Sequence, residues 1–160
     1  MILRAEDLTA MAFAPFGRVY DLRGAEDPGV KASSGDGWSD RFIRGSLIDG
    51  AGSLGRTVGP SAPWDCHEME RHPLTEEALF CAENPIVLAV APSGEGTAPL
   101  AHEVRGFILR PGQVAVMYRN IWHDACRGLH GPTAYYWMAQ TGLGIDPWVE
   151  VAGGAVRVEL

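Results

Sequence analysis

The densest run of side chains that could carry out chemistry is HEMERHPLTEE, which begins at His67. If residues 64–71 form a strand, side chains alternate, so Glu68, Glu70 and His72 share one face and His67 points to the other. Two carboxylates and an imidazole on a buried face are unfavourable unless they are paired or bound to a cation. This face is therefore either a solvated, salt-bridged surface or the wall of a ligand site.

A further histidine, His123, ends the segment RPGQVAVMYRNIWH, which predicts a Pro-Gly turn, a strand and a return strand. Taken alone, His123 is more simply explained as a hydrogen-bonded core residue. Together with Glu70, His72 and Glu77 it forms a mixed imidazole and carboxylate set, which suits Zn, Mn, Ni or Fe and leaves positions open for substrate oxygens. We therefore expect a divalent metal as the candidate cofactor, with metal-free acid–base chemistry by the same residues as the alternative.

The elements that must position these residues are short strands. The chain contains 20 Gly and 11 Pro, which separate segments rich in Val, Ile, Leu and aromatic residues. The pattern predicts strands at 16–22, 41–48, 55–59, 64–71, 77–82, 86–91, 103–109, 113–118, 121–126, 134–140 and 155–159. Before them, Asp7 or Thr9 caps a brief helix that ends before Pro15. The fold class is therefore all-β, a barrel or sandwich, and the polar stretch 21–40 is expected to be a loop that could act as a lid.

Composition limits the remaining choices. At 160 residues with 46% hydrophobic content, the chain fits one domain spanning residues 1–160. A net charge of −7 without a Lys/Arg cluster argues against nucleic acid and anionic membranes as partners. The N-terminal segment contains Glu6 and Asp7 and no long apolar run, so we expect neither a signal peptide nor a membrane anchor, and we expect a cytoplasmic protein. Three cysteines without CxxC spacing favour reduced, packed thiols.

The arrangement Glu70-x-His72-x4-Glu77, followed by His123, resembles the two ligand motifs of cupins, with Glu70 in the place of the usual first histidine. HEMERHPLTEEALF and RNIWH are similar to segments of the ureidoglycolate lyase family, of the type HExERHPxxxQAF and RNVWH. FAPFGRVYD and RGFILRPGQVAVMYRN also resemble that family, so the similarity covers most of the chain. It implies a double-stranded β-helix (cupin, or jelly-roll) barrel with a short N-terminal helix and a homodimer. It also implies a carbon–nitrogen lyase that cleaves ureidoglycolate, a small carboxylate substrate, to glyoxylate and urea in purine (allantoin) breakdown.

Within this resemblance, candidate roles can be assigned residue by residue. The candidate catalytic residues are His67, Glu70, His72, His123 and Tyr118, the candidate substrate-binding residues are Arg119, Asn120 and Trp122, and the candidate metal ligands are Glu70, His72, Glu77 and His123. Glu77 stands where the family usually has glutamine, which adds a charge to the site. The segment 134–144 also differs from the family, and its aromatics Tyr135, Tyr136 and Trp137 are expected in the core or a dimer interface. These departures leave two alternatives: a cupin lyase or isomerase for another small hydroxy- or keto-acid, or a non-catalytic cupin that binds a small acid.

Overall fold

Backbone pairing organises most of the chain into strands in the computed structural model, which describes residues 1–24, 26–144 and 146–160. The strands are β1 Ile2–Arg4, β2 Glu6–Asp7, β3 Gly17–Asp21, β4 Val30–Gly35, β5 Trp38–Ile43, β6 Ser53–Gly59, β7 Trp64–Cys66, β8 Glu68–Met69, β9 Glu77–Phe80, β10 Ile86–Ala91, β11 Arg105–Leu109, β12 Gln113–Met117, β13 Trp122–His123, β14 Arg127–Gly128, β15 Thr133–Ala139, β16 Val149–Glu150 and β17 Val156–Glu159. One helical turn, α1 (Ala10–Phe13), precedes β3, and a 3-10 turn at Ala101–Glu103 precedes β11. No helix in the described ranges is long and apolar enough to cross a membrane.

Two sheets face each other across the main core. One has the strand order β3-β12-β9-β15-β6, and the other has the order β13-β10-β11-β2, with β14 also paired to β10. Alternation along β12 sends Ala115 and Met117 into the core between the sheets and Val114 to the outer side. The same alternation along β9 directs Glu77 and Leu79 inward. A carboxylate therefore enters an otherwise apolar interior.

The outer face of each large sheet is also covered. The three-stranded sheet β1-β17-β7 packs on the β10–β11 side, where Trp64, Cys66 and Met69 join a second buried cluster with Val156 and Val158. A third, smaller cluster covers the outer face of the other sheet with Ile43, Leu47 and Ile48. Burial on both faces explains why β10 is a continuous apolar run, IVLAVA, rather than an alternating one.

The predicted helix is confirmed, and its cap is Thr9, whose Oγ1 accepts a hydrogen bond from the Ala12 N–H at 3.1 Å. The prediction of a loop over 21–40 is wrong, because β4 and β5 form a hairpin whose connection is Asp36-Gly37. The strand predicted at 41–48 is β5, which begins at Trp38 and ends at Ile43. Hydrophobic alternation could not reveal this hairpin because nearly all of its residues are exposed. Ala25, in the same predicted loop, lies outside the described residues.

Candidate active site

Glu70 and His123 lie opposite each other on neighbouring extended segments. Their backbones exchange two hydrogen bonds of 2.9 Å, from Glu70 N–H to His123 O and from His123 N–H to Glu70 O. Residues paired in this way project their side chains to the same face. His72 follows Glu70 by two residues, so it shares that face. As a result, one ligand atom from each of Glu70, His72 and His123 lies within 4.8 Å of the other two.

Glu77 reaches the same point from the facing sheet, at the start of β9. Its Oε2 lies 3.2 Å from Nε2 of His72 and 3.2 Å from Nε2 of His123. Oε1 of Glu70 lies 3.9 Å from Nε2 of His123. The structure therefore brings together all four residues that were predicted as metal ligands.

The other ring nitrogen of each histidine also has a partner. Nδ1 of His123 lies 3.1 Å from the Ile121 carbonyl oxygen, and because a carbonyl only accepts, this nitrogen donates. Nδ1 of His72 lies 2.7 Å from Oδ2 of Asp146. Such contacts fix the ring orientation and direct Nε2 of each imidazole toward Glu77. Histidines that bind metals through Nε2 are held in the same way, by a carbonyl or a carboxylate on Nδ1.

The charged groups in the cluster shift one another's pKa values. Burial alone would raise the pKa of Glu77, but the His123 and His72 imidazoles outweigh it and hold that pKa at about 2. Burial alone would lower the pKa of His72, but Glu77 and Asp146 reverse the effect and raise it to about 9. The pKa of His123 is raised against its burial by Glu77. Burial is the main cause of the raised pKa of Glu70, and the two imidazoles oppose it.

The donor set fits a divalent cation. Oε2 of Glu77 is buried, and within the described part of the chain the two imidazole nitrogens beside it do not form a hydrogen bond with it, so this oxygen is still able to bind a cation. Two ligand atoms that are each about 2.1 Å from one ion lie about 3.0 to 3.4 Å apart in octahedral or tetrahedral sites. The two 3.2 Å contacts of Glu77 Oε2 match that separation. His72, His123, Glu70 and Glu77 are therefore compatible with a metal site.

The cluster opens into a cavity of about 440 Å³, a size that suits a small molecule. Its charged lining residues are Glu70, His72, Glu77 and Asp146, and the described lining residues include neither Arg nor Lys. An anionic substrate would therefore meet three carboxylates with few positive charges to offset them. A cation held by the cluster would remove that repulsion.

Two other predicted catalytic residues do not line this cavity. His67 is exposed, and its carbonyl accepts the Val151 N–H at 2.8 Å. The strand predicted at 64–71 is interrupted after Cys66, so Cys66 and Met69, three residues apart, are both buried. Glu68 is exposed and does not line the cavity, so it is not part of the cluster that Glu70 and His72 form. Tyr118 is 41% exposed and lies beneath the Arg18 guanidinium.

The predicted substrate-binding residues lie around the site and not in its wall. Nε of Arg119 donates to Oδ2 of Asp49 at 2.6 Å on the surface. Asn120 adopts a left-handed φ of 66°, and its N–H donates to the His72 carbonyl at 3.0 Å, which ties the turn to the His72 segment. Trp122 is buried in the second core cluster on the side of β13 away from His123, with the Arg71 guanidinium 4.3 Å from its ring centroid.

Sequence reasoning missed several lining residues. Tyr135 and Trp137 lie in the main core cluster, as expected, and they also line the cavity, whereas Tyr136 points outward and stacks on Phe80. Alternation along β15 could have shown this separation. Asp146 and Gln140 follow β15 in the chain, and no local pattern marks them.

An antiparallel jelly roll with imidazole and carboxylate donors between its two sheets defines a cupin. The X-ray structure of the WlaRB TDP-quinovose 3,4-ketoisomerase from Campylobacter jejuni is similar in fold, with a TM-score of 0.50 at 12% identity over 88% of this chain and 91% of that one. The ureidoglycolate lyase family matches residues 1–149. This chain belongs to the ureidoglycolate lyase family, as its motifs predicted.

Curated relatives agree with that membership. The ureidoglycolate lyase of Brucella ovis is 33% identical over 128 residues, which cover 76% of this chain and 72% of the relative. The ureidoglycolate lyase of Rhodobacter capsulatus is 30% identical over 149 residues, which cover 90% and 89%. The predicted cupin fold class and the predicted family are thus confirmed.

Proposed function

We propose that this protein is a carbon–nitrogen lyase that cleaves ureidoglycolate to glyoxylate and urea. The observation that carries the proposal is the meeting of Glu70, His72, Glu77 and His123 in one cluster, of which Glu70, His72 and Glu77 line one small cavity. Family membership supports the choice of this substrate over another small hydroxy- or keto-acid. The proposal also places the protein in purine breakdown, where this reaction occurs in the family.

The reaction requires two proton movements and a place for an anion. Ureidoglycolate carries a hydroxyl, a ureido nitrogen and a carboxylate on one carbon. When the carbon–nitrogen bond breaks, its electron pair leaves with the nitrogen, and the hydroxyl oxygen forms the aldehyde of glyoxylate. The hydroxyl proton must be removed and the leaving nitrogen must gain one. No redox partner is needed, because the products have the same atoms as the substrate.

A divalent metal would be held by Nε2 of His72, Nε2 of His123 and the carboxylates of Glu70 and Glu77. Such a cation would attract the substrate carboxylate and lower the pKa of the substrate hydroxyl. Asp146 and the Ile121 carbonyl keep the two imidazoles in position from the opposite side. Zn, Mn, Ni and Fe all suit this donor set.

Glu70 is the residue we assign to proton transfer. A carboxylate has two oxygens, so one can face the cluster while the other handles a proton. Because Glu70 lines the cavity, a carboxylate oxygen that does not bind the cation could take the hydroxyl proton and return it to the departing nitrogen. His67 and Tyr118, the acids predicted from the sequence, do not line the cavity, so we do not assign them this role.

The test is to load the purified protein with each of the four metals and to follow glyoxylate release from racemic ureidoglycolate. We expect release by the wild type and a loss of at least about 1,000-fold in the Glu70→Ala/His72→Ala variant, because both proton transfer and the metal site fail. Thermal unfolding of the variant checks that it is folded. His67→Ala serves as the matched histidine control and should retain activity. A wild type without glyoxylate release under every metal would contradict the proposal.

We also propose that the protein is a cytoplasmic homodimer. The three cysteines are buried and unpaired, as expected in a reducing compartment. The β4–β5 hairpin exposes Trp38 by 57% and Phe42 by 45%, and an isolated two-stranded hairpin is marginally stable unless it packs on something. Light scattering should give twice the mass of the chain, and a Trp38→Ser/Phe42→Ser variant should give the monomer mass.

A further inference from the structure

Gln140 is a cavity-lining residue to which neither the motifs nor the proposed proton chemistry gives a role. It follows Ala139, the last residue of β15, which is paired with Glu77 on β9. Its N–H donates to Oγ1 of Thr75 at 3.0 Å, and this bond fixes the backbone beside the cavity. Gln140 is half-buried and is one of the residues that line the cavity, as are Glu70 and Glu77. A neutral amide residue therefore borders the same cavity as the carboxylates of the cluster.

Gly50 makes room for the Gln140 carboxamide. A Cβ atom placed on Gly50 would lie 2.2 Å from Nε2, 2.5 Å from Cδ and 2.9 Å from Oε1 of Gln140. The whole carboxamide group thus packs directly on the glycine backbone, where any larger residue would displace it. The Gly50 backbone therefore sets the position of the carboxamide.

The segment that carries Gly50 is itself fixed to the barrel by charged groups. Asp49 accepts the Glu76 N–H on Oδ1 at 3.2 Å and Nε of Arg119 on Oδ2 at 2.6 Å. The Leu47 carbonyl accepts a hydrogen bond from Arg18 at 3.4 Å. We name these contacts of Arg18, Leu47, Asp49 and Arg119 the outer latch. It keeps Gly50, and with it Gln140, in one place.

We propose that the Gln140 carboxamide binds the ureido end of the substrate and selects for it. A carboxamide presents one acceptor oxygen and an NH2 donor side by side. The terminal carbamoyl group of a ureido compound presents the complementary pair, so two parallel hydrogen bonds can form. The cation-binding cluster would then bind the carboxylate end of the same molecule. This inference rests on the proposed function and adds the residue that distinguishes a ureido acid from a simple hydroxy acid.

The test compares two unreactive probes by calorimetry on the metal-loaded protein. N-carbamoylglycine has the ureido and carboxylate groups without the hydroxyl, whereas glycolate has the hydroxyl and carboxylate without the ureido group. Gln140→Met keeps the length of the side chain and removes both hydrogen bonds. We expect N-carbamoylglycine to bind about tenfold more weakly to this variant, as two neutral hydrogen bonds imply, and glycolate to bind as to the wild type.

A second variant tests Gln140 through the glycine on which it packs. Gly50→Ala should displace the carboxamide, so it should also weaken the binding of N-carbamoylglycine but not that of glycolate. Gly94→Ala is the matched control, because an added Cβ there meets no atom closer than 4.0 Å. The inference would be overturned if Gln140→Met weakened the binding of both probes equally, or if it changed the binding of neither. If Gln140→Met selectively weakens the binding of N-carbamoylglycine but the wild type releases no glyoxylate from ureidoglycolate, the proposed reaction fails while the role of Gln140 stands.

Discussion

Glu76 and Glu77 are neighbours in the chain and are equally buried, each with 9% exposure, but they face opposite sides of one sheet. Glu76 points outward and forms two hydrogen bonds with Arg18, of 2.7 and 2.8 Å. Glu77 points inward to two imidazoles, and its Oε2 accepts no hydrogen bond among the described residues. The difference lies in the surroundings, since the two residues are chemically identical.

The outer carboxylate is satisfied within the protein, because a guanidinium matches both of its oxygens. It can contribute to stability but has nothing left to bind. The inner carboxylate has two imidazoles beside it but, among the described residues, no hydrogen bond on Oε2, and it faces a cavity that has room for a ligand. It is thus still able to bind a cation. We therefore expect equivalent substitutions at the two positions to have different effects.

The largest effect is expected from Glu77→Gln. Removing the inner charge should weaken metal binding by about 10- to 100-fold, as measured by calorimetric titration. Glutamine keeps the length of the side chain and one oxygen ligand, so turnover should persist once the metal is saturating. Glu76→Gln is the adjacent control. It should leave metal affinity unchanged and lower the melting temperature by a few degrees, because it breaks the pair with Arg18. Equal effects of both variants on metal affinity would remove the distinction between the two faces.

A somewhat smaller effect is expected from Asp146→Asn. The carboxylate of Asp146 accepts from Nδ1 of His72 at 2.7 Å, so its loss should allow the ring to rotate or change tautomer. Metal affinity should fall about tenfold, in line with other outer partners of metal-binding histidines. Asp49→Asn removes a carboxylate of the outer latch and should leave metal affinity unchanged. An unaltered metal affinity in Asp146→Asn would show that His72 needs no such support.

The inner cluster should also make the stability of the metal-free protein depend on pH. The pKa of His72 is raised to about 9 from 6.5 chiefly by Glu77 and Asp146 against burial, so its contribution is complete below pH 6.5 and is lost as pH rises through 9. The pKa of Glu77 is lowered to about 2 from 4.5 by the imidazoles against burial, so its contribution is complete above pH 4.5 and is lost as pH falls through 2. The cluster therefore stabilises the folded protein most between pH 4.5 and pH 6.5.

Melting temperatures measured with a chelator across this range test the assignment. His72→Gln should reduce the loss of stability on the alkaline side, and the remaining loss should come from His123, whose pKa is also raised. Glu76→Gln should lower the whole curve without changing its shape there, because the outer partner, Arg18, keeps its charge throughout. An alkaline loss as large in His72→Gln as in the wild type would assign the titration to another group.

The sequence was informative wherever the site depends on local spacing. Glu70 and His72 are two residues apart on extended backbone, and Glu77 begins the next inward-facing strand, so alternation and the motif sufficed. Asp146 is 74 residues from His72, and their contact depends on how a loop after β15 folds back. Gln140 takes its place from Gly50, a residue that no pattern connects to it. Such contacts are set by tertiary packing, which local periodicity does not report.

At the outer surface, a motif predicted a substrate contact for a residue that does not line the cavity. Arg119 lies in the recognised RNIWH segment and was predicted to bind the substrate. Its guanidinium is instead paired with Asp49, and its side chain is 46% exposed. The Asp36-Gly37 turn shows that some missed structure was visible, because Asp-Gly between two extended segments is a strong hairpin signal.

Arg119→Ala should have the smallest effect. An exposed ion pair contributes about 0 to 1 kcal/mol, so the melting temperature should fall by only a degree or two. If Arg119 acts through the outer latch, KM for ureidoglycolate should rise by less than about threefold, and Arg119→Lys should restore it because a lysine can still pair with Asp49. Direct binding of the substrate carboxylate would instead raise KM by about tenfold or more without lowering the melting temperature. Steady-state kinetics and thermal unfolding of the two variants therefore decide whether Arg119 binds the substrate or holds the outer latch in place.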